Sequence, residues 1–196
     1  MPKVNRSGQS SIWTEFDLRR FLSQISNPKH WLFCQFLIFT GERVGAICRL
    51  RVTDCYEKLS PIKARQEMVF PGRIRKRSRT GESASREVPV HSVLQQSLEE
   101  YLPDKSEWLF PSPRVSQSPV TPSSVDHWFR CAAEKAGVLS RGYSLHSFRR
   151  TFITDLHEKG VDIAVIQKIT GHKSLESLRK YIDVSPERVK NAIDLL

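Results

Sequence analysis

The chain has 196 residues, 39% of them hydrophobic, enough for one medium domain with its own core. Its 31 Lys plus Arg against 21 Asp plus Glu leave a formal charge of +10 and a pI near 9.7, which points to a polyanionic partner, nucleic acid or an anionic membrane surface. No apolar run approaches the ~18 residues of a membrane span and no secretory leader is recognisable, and Cys34, Cys48, Cys55 and Cys131 form no C-x-x-C pair, so a membrane-spanning or disulfide-stapled chain is excluded, a structural zinc site is not expected, and the thiols read as reduced packing groups of a cytoplasmic protein.

In chain order, residues 1–12 read as a polar, disordered arm. Thr14 caps a first helix whose apolar stripe is Phe16, Leu18, Phe21, Leu22 and Ile25. A second helix follows Pro28; its stretch Trp31 to Thr40 is apolar nearly all round, which predicts the central core helix, ended by Gly41 as a left-handed cap. A short third helix is expected from Val44 to Arg49. Between Ile62 and Val90, β-branched residues, Pro61, Pro71 and a Thr80-Gly81 turn predict two or three antiparallel strands. That hairpin carries Arg73, Arg75, Lys76, Arg77, Arg79 and Arg86 against only Glu82. Such a run is either a solvated face or an element that tracks a phosphate backbone.

A helix is expected over His91 to Leu102, then an intradomain loop at 111–124 with four prolines and five serines. Helices follow at about Ser123 to Ala136, Leu145 to Lys159, Ile163 to Ile169, Leu175 to Val184 and Glu187 to Leu196. Within the helix capped by Ser144, His146 and Arg149 are three apart and share a face away from Leu145, Phe148, Phe152 and Leu156. His172 follows Gly171 at a helix end, and Tyr181 stands nine residues further on. Each of these residues alone has an ordinary structural reading: a surface His and Arg, a loop histidine, a half-buried tyrosine.

Together and in order they do not. The segment Thr40 to Cys55 (TGERVGAICRLRVTDC), HSFR at 146–149 and TGHKSLESLRKY at 170–181 resemble the tyrosine recombinase (phage integrase) family, over essentially the whole chain from Trp13. The resemblance implies a mainly α catalytic domain with a small antiparallel sheet (α+β). It further implies that Arg43 and Arg149 clamp a scissile phosphate, that His146 accepts a proton or binds phosphate, that His172 donates to a non-bridging oxygen, and that Tyr181 is the nucleophile. The physical logic agrees, since attack on a phosphodiester builds charge on equatorial oxygens and fixed donors stabilise it without a metal or other cofactor. Double-stranded DNA is the implied partner, with Arg73, Arg75, Arg77, Arg79, Arg86 and Arg150 as its contacts, and a homotetramer on two duplexes the implied assembly.

The chain departs from the family's pattern in three places. Position 46, where the first motif usually carries an acid that orients its arginine, is alanine. The hairpin lysine that serves as general acid is assigned to Lys76, with Arg79 the rival; a guanidinium holds its proton too tightly for the task. Only about a dozen residues precede the catalytic region, so the chain is either a fragment or similar to short single-domain members such as the inversion enzymes of fimbrial switches. The expected activity is site-specific DNA cleavage and rejoining through a 3′-phosphotyrosyl link. A DNA-binding protein with weak or lost catalysis and a type IB topoisomerase-like relaxing enzyme are the alternatives. The closing segment 186–196, opened by Pro186 after Ser185, is expected as a helix that docks on a neighbouring protomer.

Overall fold

The computed structural model describes residues 9–74, 85–172, 174–181, 190 and 193–194. The expected Thr80-Gly81 turn and the docking helix at 186–196 therefore fall outside the described residues, apart from Lys190, Ile193 and Asp194. Nine α-helices and four short strands are described, so the fold is mainly helical with small antiparallel sheets, as expected. Among the described residues no helix is long and apolar enough to cross a membrane.

The centre is α2 (Pro28–Thr40), opened by the Asn27 side chain, which accepts from the Lys29 and His30 amides, with proline in the first turn. Leu32, Phe33, Cys34, Phe36 and Leu37 are all buried, because α5 (Ser92–Glu100) and α7 (Leu145–Glu158) pack against it. The helix ends at Gly41 with φ +56°. A Cβ there would lie 2.4 Å from Phe152 Cδ1, so only glycine permits both the left-handed turn and the close approach of α7.

On one flank, α1 (Glu15–Leu22), α6 (Pro122–Lys135) and α7 meet through aromatic rings. Trp13 stacks on Tyr143 at 3.9 Å between centroids, and Phe21, Phe129 and Phe148 surround them. Phe16, expected in the α1 stripe, is instead 66% exposed. Its place facing inward is taken by Asp17, which accepts hydrogen bonds from Arg141 and from the Tyr143 hydroxyl. Residues 9–12 also differ from the expected arm. Ser10 is buried, its hydroxyl 2.7 Å from that of Ser144, and the Ser11 amide donates to the Gly142 carbonyl.

After α3 (Val44–Ile47) comes α4 (Val52–Cys55), which sequence periodicity does not reveal. Strands β1 (Tyr56–Leu59) and β2 (Ile62–Ala64) form one antiparallel pair, and β3 (Glu67–Phe70) and β4 (Arg86–Pro89) another, with Phe70 opposite Arg86. The Pro/Ser loop ends earlier than expected, because Thr121 caps α6 and Pro122 opens it. Helices α8 (Ile163–Thr170) and α9 (Leu175–Arg179) pack on the far half of α7 around a second, smaller cluster of Ile153, Ile166 and Leu178, each fully buried. Cys34, Cys48 and Cys55 are buried free thiols and Cys131 is exposed.

Candidate active site

Two helices in this chain end in Thr-Gly, α2 at Thr40-Gly41 and α8 at Thr170-Gly171, and both glycines are left-handed. In each, the threonine hydroxyl donates back to the carbonyl four residues earlier, Phe36 and Ile166 respectively. The two ends converge on Arg149. Its guanidinium donates to the Gly41 carbonyl at 2.6 Å and to the Thr170 carbonyl at 3.0 Å. Helix C-termini carry partial negative charge and unsatisfied carbonyls, so together they form a natural seat for a cation. Arg149 is only 2% exposed. Burial and the neighbouring Arg43 charge draw its pKa down to about 10, partly offset by Glu42, which still leaves it charged at neutral pH.

Its Nε has no hydrogen-bond partner among the described residues. A buried guanidinium N–H without an acceptor is costly. It is also a donor left over for an acceptor, and it adjoins Nη2, which lies 3.1 Å from His172 Nε2. His172 is 8% exposed. Its Nδ1 lies 2.6 Å from the Thr170 hydroxyl oxygen, whose own proton goes to Ile166. That network assigns the proton of the neutral ring to Nδ1, leaving Nε2 as acceptor from Arg149. Burial, followed by the charges of Arg149, Arg43, His146 and Arg86, holds the His172 pKa down at about 3.

His146 lies near the start of α7, whose first turn is tied by a box in which Ser144 accepts from the His146 amide and Ser147 Oγ from the Ser144 amide. His146 is exposed, whereas Arg149, about one turn further on, is buried. Tyr181 lies just past α9, where its carbonyl accepts from the Thr154 hydroxyl. Its own hydroxyl is 3.0 Å from His146 Nε2, and its ring is 5.5 Å from that of His172. Arg43 caps α3 at the mouth of the Gly41 turn and is half-buried. Its charge acts on both Arg149 and His172, and its guanidinium has no hydrogen-bond partner among the described residues.

The structure thus brings Arg43, His146, Arg149, His172 and Tyr181 together from α3, α7, the α8 cap and the α9 end. Lys76, Arg75, Arg77 and Arg79 lie outside the described residues. Arg73 is exposed and within 3.4 Å of Asp54. Arg86 and Arg150, expected as DNA contacts, are drawn inside instead. Arg86 is 5% exposed, 2.7 Å from Glu42 and stacked over the Phe70 ring; Arg150 is 8% exposed and donates to the Ser10 carbonyl. Glu42 occupies the x of the TG-x-R element, a position to which the motif assigns no role. A carboxylate directly after a helix-ending glycine, in so basic a neighbourhood, was the available signal. Among the described residues no group of three or more His, Cys, Asp or Glu side chains is placed to hold a metal ion.

A family model described as the phage integrase family matches residues 13–188. The chain belongs to the phage integrase family. It is similar to the tyrosine recombinase XerA of Pyrococcus horikoshii, 26% identical over 98% of this chain and 63% of that protein. It is likewise similar to a tyrosine recombinase of Pseudothermotoga lettingae, 31% identical over 88% of this chain and 55% of that protein. Among solved structures, XerA recombinase superposes with a TM-score of 0.71 at 22% identity, covering 96% of this chain and 66% of the other. The Tn1549 transposon integrase in complex with transposon right end DNA superposes with a TM-score of 0.74 at 17% identity, over 96% and 66%. At these identities the superpositions establish the fold, that of phage integrase catalytic domains. This phage integrase chain spans between about half and two thirds of the length of these relatives.

Proposed function

We propose that the chain is the strand-cleaving and rejoining part of a site-specific DNA recombinase. The observation that carries this reading is the 3.0 Å contact between the Tyr181 hydroxyl and His146 Nε2 beside the buried Arg149. It sets a nucleophile, a proton acceptor and an anion clamp side by side, drawn from separate elements. In the proposed step Tyr181 Oη bonds to phosphorus and its proton passes to His146. The bond from phosphorus to the 5′-oxygen breaks, and that oxygen takes a proton from Lys76, the hairpin acid that we favour over Arg79. A 3′-phosphotyrosyl link and a 5′-hydroxyl result. Attack by a 5′-hydroxyl from a partner strand reverses the step. The count of phosphoester bonds is unchanged, so the exchange needs no ATP, and the guanidinium groups take the charge-stabilising part that a metal plays in other phosphoryl transfers.

Arg43, the free Nε of Arg149 and its adjoining Nη2 supply the charge that stabilises the developing oxyanions. His172 enters as a neutral ring accepting from Arg149. To donate to a phosphate oxygen its Nε2 must gain a proton, and the arriving negative charge favours that gain. Family membership and the basic hairpin support duplex DNA as the substrate, and a tetramer of protomers on two duplexes as the working assembly.

The test is a pool of random-sequence duplexes, each nicked so that cleavage releases a short strand. The wild-type chain should form a denaturation-resistant adduct with a subset, and Tyr181→Phe should bind that subset but form none. No adduct from the wild type would leave a DNA-binding protein without chemistry. Relaxation of a supercoiled plasmid irrespective of its sequence would point to the topoisomerase reading.

A further inference from the structure

Three arginines meet at one buried carboxylate. Glu42 is 1% exposed, and its Oε2 accepts from Arg86 Nη2 at 2.7 Å. Its Oε1 accepts the backbone N–H of Arg43 at 2.8 Å and lies 3.9 Å from Arg149 Nη1. The Glu42 amide in turn donates to the Thr40 hydroxyl at 3.1 Å, so the residue is fastened to the end of α2. One side chain therefore joins the α2 terminus, β4, α7 and the residue that opens α3.

The two arginines whose side chains reach it are buried, at 2% and 5% exposure. Two guanidinium groups confined in a low-dielectric interior repel each other, and each requires an anionic neighbour to stay charged. Three residues after Arg43, where the first motif of the resembled family usually carries an acid, stands Ala46, 2% exposed and without a charge to offer. Glu42 supplies one from the other side of Arg43.

We infer that Glu42 is a positioning residue of the active site. It fixes the backbone at Arg43 and the guanidinium of Arg149 in the attitude that meets a phosphate, and it holds Arg86 as the strut that anchors its own carboxylate. This rests on the phosphate-clamp reading given above. A merely structural role would consist of neutralising Arg86, and the two roles are separable because Arg86 and Arg149 occupy different sides of the carboxylate.

The experiment uses the 196-residue chain and the nicked duplex that the wild type selects from the random pool. Single-turnover adduct formation is measured at saturating DNA for wild type, Glu42→Gln, Arg86→Met and the double variant, with the DNA dissociation constant and thermal midpoint of each. Glu42→Gln should lower the rate constant roughly tenfold to a hundredfold, as expected for a small misplacement of the clamp, with the dissociation constant little changed. In the double variant the Arg86 charge that Glu42 neutralised is gone as well, so part of the thermal stability should return while cleavage stays slow. Recovery of the wild-type rate in the double variant would overturn the positioning role. If neither glutamine variant folds, Glu42→Asp, which keeps the charge but withdraws it by one methylene, decides. Slowed cleavage at unchanged DNA affinity supports the inference and an unaltered rate overturns it. Failure of the wild type to form any adduct would instead bring down the recombinase reading, and this inference with it.

Discussion

The hydroxyl of Tyr181 and Nε2 of His146 stand 3.0 Å apart although 35 positions separate them in the chain. The contact exists because Leu178 of α9 is buried in one cluster with Ile153 of α7 and Ile166 of α8, and the Thr154 hydroxyl donates to the Tyr181 carbonyl. In the tautomer that carries its proton on Nδ1, His146 Nε2 is an acceptor for the phenol proton before any substrate arrives. His146→Gln should slow adduct formation about a hundredfold or more at neutral pH, the usual range for loss of a general base. Part of that loss should be recovered in alkaline buffer, where hydroxide can take the proton that His146 otherwise accepts. A pH–rate profile for the two proteins checks this, and parallel profiles would assign His146 to phosphate binding instead.

Arg149 spans two helix ends, and a lysine cannot. An ammonium is compact, so it can satisfy the Gly41 carbonyl or the Thr170 carbonyl but not both in the same geometry. Arg149→Lys should leave one buried carbonyl without a donor, at about 1–3 kcal/mol of stability. Cleavage should fall by on the order of a hundredfold or more. Thermal melting and single-turnover kinetics read the two effects separately. Near-normal cleavage in this variant would mean that charge alone suffices.

Gly41→Ala tests the turn that presents one of those carbonyls. The new methyl group would lie 2.4 Å from Phe152 Cδ1 on a backbone at φ +56°. Overpacking and the left-handed strain together should cost about 2–5 kcal/mol, measured by urea titration. A variant as stable as the wild type would show that α7 can move away from the end of α2.

His172 carries a dependence on pH whose sign follows from its environment. Burial and the surrounding Arg149, Arg43, His146 and Arg86 lower its folded-state pKa from 6.5 to about 3. Below 6.5 the unfolded chain binds a proton that the folded chain refuses, so the contribution of His172 to stability is complete above that pH and is lost progressively as pH falls toward 3. His172→Gln has no such proton to bind. The stability difference between wild type and variant should therefore be larger at about pH 8 than at about pH 5, by urea titration at each. A difference independent of pH would show that the ring is not held neutral.

The parts of this fold that sequence reading captured are those written in local chemistry. The apolar run of α2, its closing Gly41, the Ser144 cap and the His172-to-Tyr181 spacing are each set by neighbours in the chain. What it missed depends on partners far away. Asp17 turns inward because Arg141 and Tyr143 wait for it 124 and 126 residues later, which leaves Phe16 outside. Arg150 looks like a surface cation beside Arg149, but the Ser10 carbonyl, 140 residues earlier, satisfies it in the interior. Arg86 sits in a run of basic residues, and nothing near it foretells Glu42. Helix α4, four residues long, is too short to show a period. The candidate site was legible as a set of residues. Its geometry was not, because the two Thr-Gly helix ends that seat Arg149 meet only once α2 and α8 are packed on α7.

The small cluster of Ile153, Ile166 and Leu178 bears on how the site operates. At ~1.5–3 kcal/mol for each fully buried side chain, these three, with Phe152, Leu156, Val161, Ile163 and Tyr181 packed partly buried around them, make a smaller core for α8 and α9 than the one around α2. Partial opening of this unit is accordingly a lower-energy excursion than global unfolding, and amide exchange in α9 should outpace that in α2. Tyr181 packs against this small cluster, whereas Ala46 and Ile47 of α3, the helix that Arg43 caps, belong to the main core. In the proposed reading the nucleophile is therefore seated on the smaller cluster and the Arg43 half of the clamp on the larger, so loosening α8 and α9 should displace the one before the other.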